Sequence, residues 1–191
     1  MALAAGELRV GVIFTDGGYT YRVLRYDHIK RGRQPAVYKV KIKDLNSGAI
    51  MEQSYKDANK FDIPDVQRKS AQFMYKDNSD AYFMYNDTYE QFDVPVTDLE
   101  WEMNFLVDGV RVIVMLLEGK VVSLELDKKA ELTVFQADPA VPGNTSSGAT
   151  KKAIMETGYE AQVPLFINVG EKLLLNTDTG LYAGRVSTLN R

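Results

Sequence analysis

The chain has 191 residues, with 45% hydrophobic and 26% charged residues, one histidine, no cysteine and a formal charge of −3. Without cysteine there are no disulfides, thiol nucleophiles or thiolate metal sites, and one imidazole cannot build a histidine-based triad or a multi-histidine metal centre. No apolar run approaches the roughly 18–20 residues of a helical membrane span, and the start, Met1 to Glu7, lacks the basic region of a signal peptide, so a soluble, cytoplasmic protein is expected.

In chain order the elements read almost entirely as strands. Val10 to Phe14, a turn at Asp16-Gly17-Gly18, and Tyr19 to Tyr26 form a predicted hairpin. Val37 to Lys43 alternates: Tyr38, Val40 and Ile42 fall on one face, and Lys39, Lys41 and Lys43 on the other. A turn at Asn46-Ser47-Gly48 leads into Ala49 to Tyr55, and residues 63–70 are expected to add a helical turn. A second block of short strands follows, at Ala71–Lys76, Ala81–Tyr85 and Tyr89–Val94. Val96 to Leu106, with Thr97 or Asp98 as N-cap and Leu99, Met103 and Leu106 at turn spacing, is the one helix candidate, a short helix or 3₁₀ turn. Then come Arg111–Leu117, a turn at Glu118-Gly119-Lys120, and Val121–Leu126. The third block reads as Ala130–Phe135, a polar loop from Asp138 to Lys152, Tyr159–Phe166, Glu171–Asn176 and Leu181–Val186. Short strands at near ten-residue spacing predict an all-β chain of three consecutive small β-barrels, divided at 1–66, 67–129 and 130–191.

Charge is unevenly placed. Between Arg25 and Lys43 lie seven Lys/Arg and one Asp, a local +6, so the remainder of the chain carries −9. An acidic protein that gathers its cations in one hairpin is expected to set that hairpin against a polyanion. His28 lies in the same hairpin, either as a lone base or as a residue resting against RNA. Trp101 and the tyrosines of the middle block are candidates for base stacking or for barrel core. An enzyme is disfavoured, because no phosphate-binding loop, metal-ligand cluster or paired carboxylates stand out.

Several separated motifs carry a resemblance. Pro142-Gly143-Asn144-Thr145-Ser146-Ser147-Gly148-Ala149-Thr150-Lys151, Glu156-Thr157-Gly158, Val163-Pro164-Leu165-Phe166, Gly170-Glu171-Lys172 and Thr177-Asp178-Thr179-Gly180-x-Tyr182-x-x-Arg185 occur in order in the third block. Tyr85-x-x-x-Tyr89-Glu90-Gln91 marks the middle block and His28-Ile29-Lys30-x-Gly32-Arg33 the hairpin. With these motifs the chain resembles the bacterial elongation factor P family from about Glu7 to Val186. The resemblance implies an N-terminal SH3-like (KOW-type) barrel and two OB-fold barrels in an L shape resembling tRNA.

It also implies a non-enzymatic, monomeric factor, without cofactor, metal or membrane association, that binds the 70S ribosome between the P and E sites. Such a factor stimulates peptide-bond formation at consecutive prolines by positioning the acceptor end of the P-site peptidyl-tRNA. By the same resemblance Arg33 is the apex residue and a candidate substrate for an arginine-modifying glycosyltransferase. Lys30, Arg31, Gly32, Gln34, Lys39 and Lys41 would face the tRNA acceptor end or ribosomal RNA. Gly143, Asn144 and Thr145 would approach the mRNA codon in the E site, and Tyr182 and Arg185 the anticodon-stem side of the P-site tRNA. Arg31 stands at the family's usual proline, Asn144 at its usual acid, and Lys152 at another usual proline. Two rival readings are a specialised paralogue within the family and a general single-strand RNA-binding OB protein.

Overall fold

The structure, a computed structural model, describes residues 2–29, 36–139 and 149–186. Strands and short 3₁₀ turns make up the regular structure, and no α-helix occurs among the described residues.

The first sheet comprises β1 (Ala2–Ala4), β2 (Ile13–Asp16), β3 (Tyr19–Ile29), β4 (Val37–Asp44), β5 (Ile50–Lys56) and β6 (Lys60–Asp62), ordered β1-β6-β2-β3-β4-β5. It wraps a core of Leu8, Phe14, Val23, Val40, Ile42 and Phe61. The second comprises β7 (Gln67–Lys76), β8 (Asp80–Tyr85), β9 (Gln91–Pro95), β10 (Arg111–Leu117) and β11 (Lys120–Leu126), ordered β11-β10-β7-β8-β9 around Phe73, Phe83, Val112 and Val114. The third comprises β12 (Lys129–Ala137), β13 (Thr150–Met155), β14 (Glu160–Pro164), β15 (Lys172–Asn176) and β16 (Tyr182–Arg185), ordered β14-β13-β12-β15-β16 around Leu132, Val163, Leu173 and Leu175. Its two edge strands, β14 and β16, approach each other, which rolls the sheet toward a closed barrel.

The alternation read along Val37 to Lys43 holds: Tyr38, Val40 and Ile42 are buried and Lys39 is exposed. Two local expectations do not, and the helix candidate holds only in its 3₁₀ alternative. The helical turn expected in residues 63–70 is instead the start of β7, whose Gln67 to Ser70 pair with Leu116 to Ile113 of β10. Those residues are polar and mostly exposed, so hydrophobic periodicity could not mark them. The polar loop is shorter than expected, because Thr150 to Lys152 open β13. Lys152 sits in the ladder opposite Gln162, and its Nζ lies 2.7 Å from Glu160 Oε2.

The helix candidate is two separate 3₁₀ turns, Val96–Asp98 and Glu102–Asn104, and neither Thr97 nor Asp98 caps them. A single i−4 bond from Met103 N–H to the Leu99 carbonyl, 2.8 Å, joins the two turns and gives the segment a helical pitch. That pitch produces three faces, and each meets a different barrel. Leu99, Met103 and Leu106 enter the middle core, and Phe105 with Trp101 packs in the C-terminal core. Asp98 and Glu102 turn toward the N-terminal sheet. Residues 96–106 therefore connect all three barrels.

Candidate nucleic-acid interface

The β3–β4 hairpin has two faces, and a bulge decides what each carries. Register shifts between Val23 and Arg25, leaving Leu24 as the extra residue: Val23 faces Ile42 and Arg25 faces Lys41. Because of that extra residue, Arg22 and Arg25, three apart, lie on the same side of the sheet. The outer face of β3 and β4 thus carries Arg22, Arg25 and Asp27 opposite Lys43, Lys41 and Lys39.

This face divides into two halves. At the lower end Arg22 is buried, its Nη2 donating to Glu102 Oε1 and its Nη1 to the Asp98 carbonyl, each at 2.6 Å. Lys43 Nζ lies 2.7 Å from both carboxylate oxygens of Asp98. These two cations bind the middle barrel, so Lys43, one of the seven cations counted in the hairpin, is committed elsewhere. At the upper end Arg25 and Lys39 are exposed and Lys41 is half-buried. Asp27 lies 3.1 Å from Arg25 and faces Lys39, and Glu52 faces Lys41 from β5. The exposed half is thus less cationic than the residue count suggested, and its excess charge rises toward residues 30–33.

The opposite face carries rings. Tyr26 and His28, two apart on β3, lie on either side of Tyr38, which pairs with His28 across the ladder. Ring centroids are 5.8 Å apart for Tyr26–Tyr38 and 5.0 Å for His28–Tyr38, both stacked within 22°. The Arg9 guanidinium lies 4.9 Å over the Tyr26 ring. The Tyr38 hydroxyl donates to Asp57 Oδ1 at 2.9 Å, and this bond raises the phenol above its ordinary pKa, keeping it a donor.

In the C-terminal barrel a second bulge puts Tyr182 and Arg185 on the same face. Tyr182 faces Leu175 and Arg185 faces Leu173, and the register shifts between those pairs. Without the bulge, residues three apart on a strand would point to opposite faces. Tyr182 packs on the barrel core. The Arg185 guanidinium lies 4.7 Å over the exposed ring of Phe166, with Nη1 3.8 Å from Glu171 Oε2. In sequence Phe166 stands only as the end of the motif Val163-Pro164-Leu165-Phe166. Its platform role needs the fold to bring the segment after β14 beside β16.

Trp101 is not displayed for stacking on bases. Its Nε1 donates to the Thr177 carbonyl at 2.7 Å, and its ring packs edge-on to Phe105 and Tyr159. Lys30, Arg31, Gly32, Arg33 and Gln34, together with Gly143, Asn144 and Thr145, lie outside the described residues.

The comparisons with known proteins fit this arrangement barrel by barrel. Residues 4–61 match the family model for the KOW-like domain of elongation factor P, residues 66–124 its OB domain, and residues 130–185 its C-terminal domain. The chain is 44% identical over 183 residues to "Elongation factor P" of Mycoplasma mycoides subsp. mycoides SC, covering 96% of this chain and 100% of that protein. It is 41% identical to that of Mesoplasma florum over 96% and 99% of the two chains, and 36% identical to that of Mycoplasmopsis pulmonis over 95% and 97%. With all three domains matched in order along its length, the chain belongs to the elongation factor P family.

Proposed function

We propose that this translation elongation factor binds the ribosome between the P and E sites and speeds peptide-bond formation when consecutive prolines stall it. It works as three units, residues 1–66, 67–129 and 130–191, and Arg33 at the hairpin apex meets the acceptor end of the P-site peptidyl-tRNA. The observation that carries the reading is the division of the cationic face. Arg22 and Lys43 fix the hairpin's base to the middle barrel, while Arg25, Lys39 and Lys41, partly offset by Asp27 and Glu52, stay clear of that contact.

Proline reacts slowly because its ring restricts the backbone. Holding the tRNA end in a reactive geometry lowers that barrier without any acid or base from the factor. Guanidinium and ammonium groups suit this task, because they neutralise phosphates and hold position without reading sequence. Lys30, Arg31, Gly32, Gln34, Lys39 and Lys41 flank the contact. Gly143, Asn144 and Thr145 reach the E-site codon with small polar groups, and the paired Tyr182 and Arg185 meet the anticodon-stem side of the P-site tRNA. Arg33 is also the residue open to glycosylation, which the intact mass of the native protein reports.

The test is reconstituted translation of two messages, one encoding three consecutive prolines and one without them. Added factor is expected to accelerate the first and leave the second unchanged. Equal rates on the proline message with and without factor contradict the reading.

A further inference from the structure

We propose that His28 is a positioning residue: the last ring of a column, Arg9–Tyr26–Tyr38–His28, that carries the rigidity of the N-terminal barrel up one face of the hairpin stem. The inference deepens the reading above, in which the hairpin holds the tRNA acceptor end, and rests on it for its consequence in translation.

The need for such a column follows from the ladder. β3 pairs with β2 only from Tyr19 to Arg22. From Arg25 to Ile29 it is hydrogen-bonded to β4 alone among the described residues, and so forms the edge of the three-stranded stretch β3-β4-β5. Backbone bonds on one side leave the far edge of such a strand free to twist, even though β4 itself is held by β5. Stacked rings supply the missing constraint, because offset aromatic pairs at these separations resist sliding and tilting.

The column is anchored at its centre. Tyr38 is buried, its hydroxyl is held by Asp57, and Gly6 leaves room for it: a Cβ at residue 6 would come within 3.0 Å of the Tyr38 oxygen. Arg9 lies over the Tyr26 ring, 4.9 Å from its centroid, at the barrel end of the stack. His28 closes the other end, one residue short of the last residue of β3, and is exposed. Its ring contributes through its face, so proton transfer is not its task. Any flat ring at position 28 would serve.

The test uses His28→Ala, which removes the ring, and His28→Phe, which keeps it without the imidazole nitrogens. The position is exposed, so each folds as wild type does. Backbone order parameters at Asp27 and Val37 are expected to fall in His28→Ala and to return to wild-type values in His28→Phe. This readout needs no ribosome, so the column is tested even if the translational reading fails. On the proline message, His28→Ala is expected to lower the rate at saturating factor by about ten-fold, short of the hundred-fold that a 1 Å misplacement brings. The half-saturating concentration and its salt dependence stay unchanged, and His28→Phe restores the rate. Unchanged order parameters in His28→Ala overturn the proposal. So does a His28→Phe protein as slow as His28→Ala, because the imidazole itself would then be required.

Discussion

Arg22 on β3 and Glu102 in the 96–106 segment lie eighty positions apart in sequence, yet their side chains meet at 2.6 Å with only 4% and 5% of their surfaces exposed. A buried ion pair contributes little net stability compared with an apolar pair of the same shape, but removing one partner strands a charge without solvent. Its value here is registry: it sets one orientation of the hairpin barrel on the middle barrel. Ser123 Oγ donates to the Gly11 carbonyl at 2.7 Å in the same interface. Gly11 has φ +83°, and a Cβ there would lie 3.2 Å from the Leu124 carbonyl oxygen, so the two barrels meet backbone to backbone.

Glu102→Ala should therefore destabilise the protein by about 3 kcal/mol. The double variant Arg22→Met/Glu102→Leu should recover most of that loss. Urea unfolding of the three proteins checks both. A double variant no more stable than Glu102→Ala would mean that the site needs the charges for stability and not only for registry.

The C-terminal barrel has a comparably tight internal contact beside the Trp101 ring. Gly180 has φ +72°, and a Cβ there would collide with the Tyr159 hydroxyl, which donates to the Gly180 carbonyl, and would come within 3.2 Å of Trp101. Gly180→Ala is expected to displace Tyr159, cost at least the 1–2 kcal/mol (about) of the left-handed conformation itself, and alter the emission of Trp101, the only tryptophan in the chain. Fluorescence during urea unfolding reads both effects.

The turn after β4 gives a pH dependence of known sign. Asp44 accepts from the Ser47 hydroxyl at 2.7 Å and the Asn46 N–H at 2.8 Å, and these bonds hold its carboxyl below the ordinary value of 3.8. A carboxylate lowered in the folded state contributes stability that is complete above its unfolded pKa and is lost as pH falls through the folded pKa. Urea midpoints should thus drop below pH 3.8, and Asp44→Asn should flatten part of that slope while leaving it unchanged at pH 7.

Much of this architecture was legible in the sequence, because it rests on local signals. Alternation along Val37 to Lys43 marks a half-buried strand, and Leu99, Met103 and Leu106 mark a face at helical pitch. What escaped depends on distant partners. Gln67 to Ser70 are polar strand residues fixed by β10, and β1 and β6 are three-residue strands that pair with each other. The cationic face of the hairpin was legible as charge but not as geometry. Lys43 looks like Lys39 and Lys41 in sequence, and only the approach of Asp98 withdraws it. Arg22 and Arg25, like Tyr182 and Arg185, share a face through a bulge that no pattern of two predicts.

Lys39 and Lys41 should behave as positioning contacts to phosphate. Replacing either with alanine is expected to weaken ribosome binding and to lower the slope of log affinity against log salt by about one. Lys43→Ala should act through the barrel interface instead, reducing stability and leaving the slope nearly unchanged.

The most direct measurement is the rate of proline–proline bond formation on ribosomes stalled at three consecutive prolines, at saturating wild-type factor and at saturating Arg33→Ala. Wild type is expected to release the stall rapidly, and Arg33→Ala to lose most of that rate while keeping its fold and its contacts among the three barrels. Equal rates for the two proteins would contradict the assignment of the hairpin apex as the group that positions the tRNA end.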